Sequence, residues 1–105
     1  MSDNSFEQLA QVEFARIFEK LDGEDGFDID LQGGILTIEM EEGGTFVINK
    51  HAPSGEIWLS SPVSGAWHFR NIKGDWIATK SPNPKLEVLL YGELTGLLGR
   101  QIHLK

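Results

Sequence analysis

Six carboxylates fall within twelve residues: Glu19, Asp22, Glu24, Asp25, Asp28 and Asp30. Oxygen-only donors of this kind suit hard or borderline cations such as Ca²⁺, Mg²⁺, Mn²⁺ and Fe²⁺. No His lies in the first third of the chain, and the spacing does not match an EF-hand loop. The pattern therefore points to a shallow, exchangeable cation site, not a closed one. The other reading is a solvated acidic face that serves solubility alone. Repulsion among so many like charges argues against it.

A second group surrounds the stretch GEIWLSSP, residues 55–62. Alternation puts Ile57 and Leu59 on one face of a strand and Glu56, Trp58 and Ser60 on the other. The aliphatic side is the core face, so Trp58 shares the wet face with a glutamate. An indole in water is a liability unless another surface uses it, and Trp is enriched among interface hot spots. By the same alternation Asn49, His51 and His68 reach that face and supply polar groups around the ring. A Trp capped by a loop, or a slipped register, is the competing explanation. Taken singly, the two His are ordinary surface residues before they are metal ligands.

Nucleophilic chemistry has little support. The chain contains no Cys, which excludes disulfides and thiolate sites and suits a reducing compartment. No nucleophile elbow appears, and the Gly pairs sit at hairpins instead of opening a helix. Net charge is −7, unevenly placed. Residues 1–42 carry twelve of the sixteen acids against only Arg16 and Lys20, and residues 43–105 are net basic. That asymmetry disfavours nucleic acid and suits cations or a basic protein surface. No apolar run approaches the roughly 18 residues that span a bilayer. The opening MSDNSFEQ has neither a secretory h-region nor the character of an Arg-rich transit peptide.

The elements that must hold these groups are legible in the pattern. Ser5 and Gln8 fit a capping box. After it Phe6, Ala10, Phe14, Ile17, Phe18 and Leu21 share one side of a helix, with Glu19 and Asp22 opposite. Alternating runs follow at 27–31, 35–40, 45–51, 56–61, 66–71 and 76–80, joined by Gly-bearing turns too short for crossover helices. Asn83 caps a second helix with Pro84 at its first position and Gly99 at its end. Its stripe is Leu86, Leu89, Leu90, Leu94, Leu97 and Leu98, and Ile102 and Leu104 of the tail pack back on the helices. The expected fold is α+β, a single domain over 1–105. In it the N- and C-terminal helices cover one face of a five- to six-stranded antiparallel sheet, whose other face meets solvent.

With these residues in hand, TFVINKHAPSGEIWLSSPVSG (45–65) closely resembles the central motif of the frataxins. The helix–meander–helix order, the acidic first helix and strand, and GGILTI (33–38) agree with it. The resemblance covers essentially the whole chain. It implies a small iron-binding accessory protein of iron–sulfur cluster assembly, acting on a cysteine desulfurase and its scaffold protein. Carried over, the acidic ridge falls on Glu19, Asp22 and Asp25, with Glu24, Asp28 and Asp30 alongside. There it implies weak, exchangeable Fe²⁺, with Fe³⁺ and other divalent cations as further ligands. The partner-binding set becomes Asn49, His51, Ile57, Trp58 and His68. His51 and His68 stand where mitochondrial members commonly carry Gln and Arg. HF at 68–69 and the short chain are similar to the bacterial branch, whereas IWLSSP is closer to the mitochondrial form.

The resemblance thus implies a cytoplasmic bacterial protein, or a mitochondrial matrix protein whose presequence has been removed. It also implies a monomer, with iron-dependent oligomers a feature of some members. The enzyme alternative is ferroxidase activity with iron storage or donation. No His–carboxylate pair at E-x-x-H spacing supports it. The third reading is a plain acidic interaction domain.

Overall fold

The computed structural model describes residues 2–104. Helix α1 (Ser2–Leu21) leads into strands β1 (Phe27–Gln32), β2 (Ile35–Met40) and β3 (Thr45–His51). A 3₁₀ turn (Ala52–Ser54) precedes β4 (Glu56–Ser61), β5 (Gly65–Ile72) and β6 (Asp75–Ala78), and helix α2 (Leu86–Leu98) follows. The six strands form one antiparallel sheet in chain order, β1 to β6.

Two-residue loops fix the register at two hairpins. Gln32 pairs with Ile35 across Gly33 and Gly34, both at positive φ (59° and 79°). Positive φ at both central positions is the twist-matched hairpin turn, which a Gly pair adopts without steric cost. Ile72 pairs with Asp75 across Lys73 and Gly74 in the same way, with the Gly74 N–H donating to Asn71 Oδ1.

Both helices bury their stripes against the inward face of the sheet. Ala10, Phe14, Ile17 and Leu21 of α1 and Leu86, Leu90 and Leu94 of α2 meet Leu36, Ile38, Phe46, Ile48, Ile57, Leu59 and Phe69. Each of these side chains except Ala10 contributes about 1.5–3 kcal/mol by leaving water. The outward face, with Trp58 on it, stays free of helices. This is the α+β two-layer arrangement that the period-2 runs between two amphipathic helices demand.

The helix ends differ from expectation. The backbone of α1 is already helical at Ser2, so Ser5 sits inside the helix and does not cap it. None of the first five residues is Pro, Gly or β-branched, so nothing halts the helix there. Asn83 does not cap α2 either. It takes a left-handed conformation (φ 58°) in the turn after the cis Ser81–Pro82 bond, and its Nδ2 donates to the Ala78 carbonyl. The next two residues are drawn to the edge of β6, where Ala78 N–H donates to the Pro84 carbonyl and Lys85 bridges Ile77. Helix α2 therefore starts at Leu86, past Pro84. Gly99 does end it, at φ 71°, its N–H donating to Thr95 O. Leu97 and Leu104 are exposed, so each drops out of its expected packing; Ile102 packs against the core.

Candidate docking face and acidic ridge

The outward face is built by three neighbouring strands. Asn49, Trp58 and His68 lie abreast across β3, β4 and β5, and the next row holds His51, Glu56 and Arg70. His68 stacks on one side of the Trp58 indole at 4.4 Å between centroids, and His51 reaches diagonally to the other side at 3.8 Å. Both imidazoles lie 11° from the indole plane. Opposite and diagonal neighbours on one sheet face are close enough for such ring contacts.

The polar edge of the indole is satisfied as well. Trp58 Nε1–H donates to Glu56 Oε1 at 2.9 Å. The same carboxylate accepts from Ser54 Oγ at 3.1 Å and from Arg70 Nε at 3.0 Å, and His68 Nδ1 lies 3.7 Å away. His51 Nδ1 sits 2.7 Å from the hydroxyl of Ser54, in the turn between β3 and β4. These donors, the indole first, outweigh desolvation and hold Glu56 below the usual carboxylate range. Glu56 is only 6% exposed. Trp58 is thus half-buried and rigidly framed, a correction to the picture of an indole standing free in water. Beyond its other edge lies a depression of about 170 Å³ lined by Val47, Asn49, Ser60, Ala66 and His68.

Ile57 is the clear misplacement in the expected partner-binding set. It is fully buried in the core. Its neighbours in sequence face out, so period 2 turns Ile57 inward and leaves it no surface to offer. Glu56 is the residue missed. Its signal was present two positions before Trp58 on the same face, but only the register of β5 brings Arg70 opposite it.

The acidic residues occupy the end of α1, the following turn and β1. Glu19, Asp22, Asp25, Asp28 and Asp30 are exposed. Glu24 is not an open ligand. Its carboxylate pairs with Arg100 of the C-terminal tail and accepts the His103 backbone N–H at 3.2 Å. The Arg100 hydrogen bond, the largest influence, keeps it below the usual range. Arg100 also donates to the Asp25 carbonyl, tying the tail to the turn. Asp28 faces Glu39 directly across β1 and β2, adding an acid that sequence reading had passed over. Among the described residues, no three His, Asp or Glu converge in a way that could hold a metal ion.

The sequence profile of the frataxin-like domain matches residues 1–100. This chain belongs to the frataxin/CyaY family. The iron–sulfur cluster assembly protein CyaY of Vibrio cholerae serotype O1 is 40% identical over 83 residues, which is 77% of this chain and 78% of that protein. Frataxin from Psychromonas ingrahamii superposes with a TM-score of 0.88 at 26% identity, covering 98% of this chain and 97% of that one. The trimeric frataxin of Saccharomyces cerevisiae, complexed with ferrous iron, gives 0.64 at 28% identity, covering 95% and 88%. No helix among the described residues of this frataxin is long and apolar enough to cross a membrane.

A third cluster of titratable groups lies between the helices of this frataxin. Glu13 of α1 is 8% exposed and hydrogen-bonded to Glu87 of α2. Burial first, and then Glu87, push the Glu13 carboxyl up to about 8. Burial alone would lift Glu87 too, but the bond from Glu13 and the charges of Arg16 and Lys20 hold it below the usual range. Arg16 Nη2 and Lys20 Nζ reach Glu87 at 2.9 and 3.4 Å. Burial likewise raises the Tyr91 hydroxyl beside them.

Proposed function

We propose that this frataxin is a non-enzymatic regulator of iron–sulfur cluster assembly that docks on a cysteine desulfurase–scaffold assembly through the face around Trp58. The observation that carries the reading is the framed indole itself. A Trp held by His51, His68 and Glu56 on the helix-free side of a sheet is preorganised contact area, which lowers the ordering entropy that binding must overcome. Asn49 and His68 flank it as polar contacts. The family membership and the Vibrio cholerae relative's role support the assembly pathway as its setting.

The acidic residues take the second role in this reading. Glu19, Asp22 and Asp25, with Asp28 and Asp30 alongside, attract Fe²⁺ weakly and steer a basic partner surface by charge. Exposed oxygen donors without convergence fit a low-affinity, exchangeable ion. The ferrous complex of the yeast relative supports this choice of metal. Steering of this kind is salt-sensitive, whereas the Trp58 contact is not.

The test is the anaerobic rate of cluster formation on the scaffold with desulfurase, cysteine and Fe²⁺, measured with and without the protein. A change in rate that Trp58→Ala fails to reproduce is the expected result, and its sign distinguishes brake from activator. An unchanged rate at every iron level refutes the proposal. Ferroxidase activity, the competing reading, requires oxygen consumption with Fe²⁺ above that of Ca²⁺-blocked protein.

A further inference from the structure

The docking proposal leaves open what fixes the orientation of Trp58. An indole on a sheet face has two χ angles and several staggered positions. Here three of its borders are already occupied. Both π-faces are covered by imidazoles, and the N–H edge ends on Glu56. A depression lined by Val47, Asn49, Ser60 and Ala66 borders the ring on the side away from Glu56.

Glu56 is unusual among these framing groups because it is the hub. Its Oε1 takes Trp58 Nε1 and Ser54 Oγ, while Oε2 takes Arg70 Nε. Ser54 in turn holds His51, and His68 lies within 3.7 Å of the same carboxylate. The indole, its two stacking partners and the β3–β4 turn therefore all connect to one side chain. A carboxylate under 10% exposed is stable there only because several donors meet it.

We infer that Glu56 is the positioning residue for Trp58, locking the indole so that its faces and N–H are withheld and its remaining edge, beside the depression, is offered to a partner. This deepens the docking proposal and rests on it for its functional meaning. The chemistry of the partner group follows. With the N–H committed, a hydrogen-bond acceptor gains nothing by approaching the ring. With both faces stacked, a Lys or Arg cannot lie over it in a cation–π contact. What the site admits is a single side chain, because 170 Å³ is well below the size of a small-molecule pocket; its apolar part meets the indole edge, Val47 and Ala66, with Asn49 and Ser60 at the rim for a polar end.

The experiment compares Glu56→Ala and Glu56→Gln in the full chain. Trp58 is read through hydrogen exchange of its indole N–H, assigned by the resonance lost in Trp58→Phe. Glu56→Ala is expected to speed that exchange about tenfold or more, the equivalent of losing a charge-assisted hydrogen bond. The indole N–H groups of Trp67 and Trp76 should not change. Glu56→Gln, whose amide oxygen still accepts from Nε1–H, should restore most of the protection. A merely structural role for Glu56 would shift all three indoles together. Exchange in Glu56→Ala within twofold of the unaltered protein overturns the inference, as does failure of Gln to rescue.

Docking separates the two proposals. Affinity for the desulfurase–scaffold assembly should fall about tenfold in Glu56→Ala and recover in Glu56→Gln. If Trp58→Ala abolishes docking while Glu56→Ala leaves it intact, Glu56 does not position the docking group and the inference fails. If Trp58→Ala leaves docking intact, the docking proposal fails, and the exchange measurement still decides whether Glu56 holds the ring.

Discussion

Glu56 and Glu13 are each less than a tenth exposed, one on the open face of the sheet and the other between the helices. Glu56 is ringed by an indole N–H, a hydroxyl and a guanidinium, and its charged form is favoured. Glu13 meets another carboxylate, and burial favours its neutral form. Equal exposure has produced opposite shifts. What decides the state of a buried acid is the set of donors around it. The comparison also separates two settings for a glutamate: Glu56 accepts from donors beside a surface aromatic, and Glu13 lies against a second carboxylate between two helices.

The largest effect should come from Glu13. Its folded value near 8 lies above the unfolded value of 4.5, so folding takes up a proton between them and stability declines as pH rises through that window. Glu13→Gln keeps an N–H donor toward Glu87 but cannot ionise. It should flatten the decline and leave the variant more stable at pH 9 by on the order of 2 kcal/mol. Urea unfolding at pH 6 and pH 9 measures this. Parallel pH dependence in the two proteins would sink the claim.

Glu56 should show the reverse dependence and a smaller effect. Its folded value is depressed, so its contribution is present above the ordinary carboxylate range and is lost as pH falls through the folded value. As pH falls through the folded value the bond to the indole loses its charge assistance and weakens, visible as Trp58 N–H exchange that speeds up, by less than in Glu56→Ala, while the core indoles hold. In Glu56→Gln the acid transition should be absent. If it persists there, another group titrates beneath the indole.

The smallest effect belongs to the tail. Arg100→Ala breaks a pair with Glu24 whose Arg side is open to solvent at the end of the chain, and a pair screened in that way adds little to global stability. The melting temperature should barely move. The His103 amide, which donates to Glu24, should exchange several-fold faster, because local opening at a chain end is governed by its few contacts. Unchanged exchange would mean that the tail is held by the packing of Ile102 alone.

The sheet was legible in the sequence because alternation and paired glycines act locally: Phe27 to Ala78 runs as a meander with ends within two residues of those expected. The face of Trp58 was legible for the same reason. The partners of Glu24 and Glu13 were not. Arg100 lies 76 residues from Glu24, and Glu87 lies 74 from Glu13, so only tertiary packing brings them together. Glu13 falls on the buried stripe of α1 between Ala10 and Ile17, but nothing in the sequence says that it faces a second acid. Asn83 misled for another reason: the same side chain suits a cap or a left-handed turn, and the pairing of Pro84 and Lys85 with β6 selects the turn.

The meander leaves the sheet with two unlike borders. Beyond β6 the chain itself supplies a short bridge at Lys85, so that border is partly closed. Beyond β1 no further strand is paired among the described residues. Unpaired backbone along an edge strand is a template for sheet extension by another chain, and charged side chains there discourage it. Asp28 and Asp30, both exposed on β1, place two negative charges along that border, which disfavours such pairing. A second copy approaching β1 edge to edge would bring its own two aspartates against them.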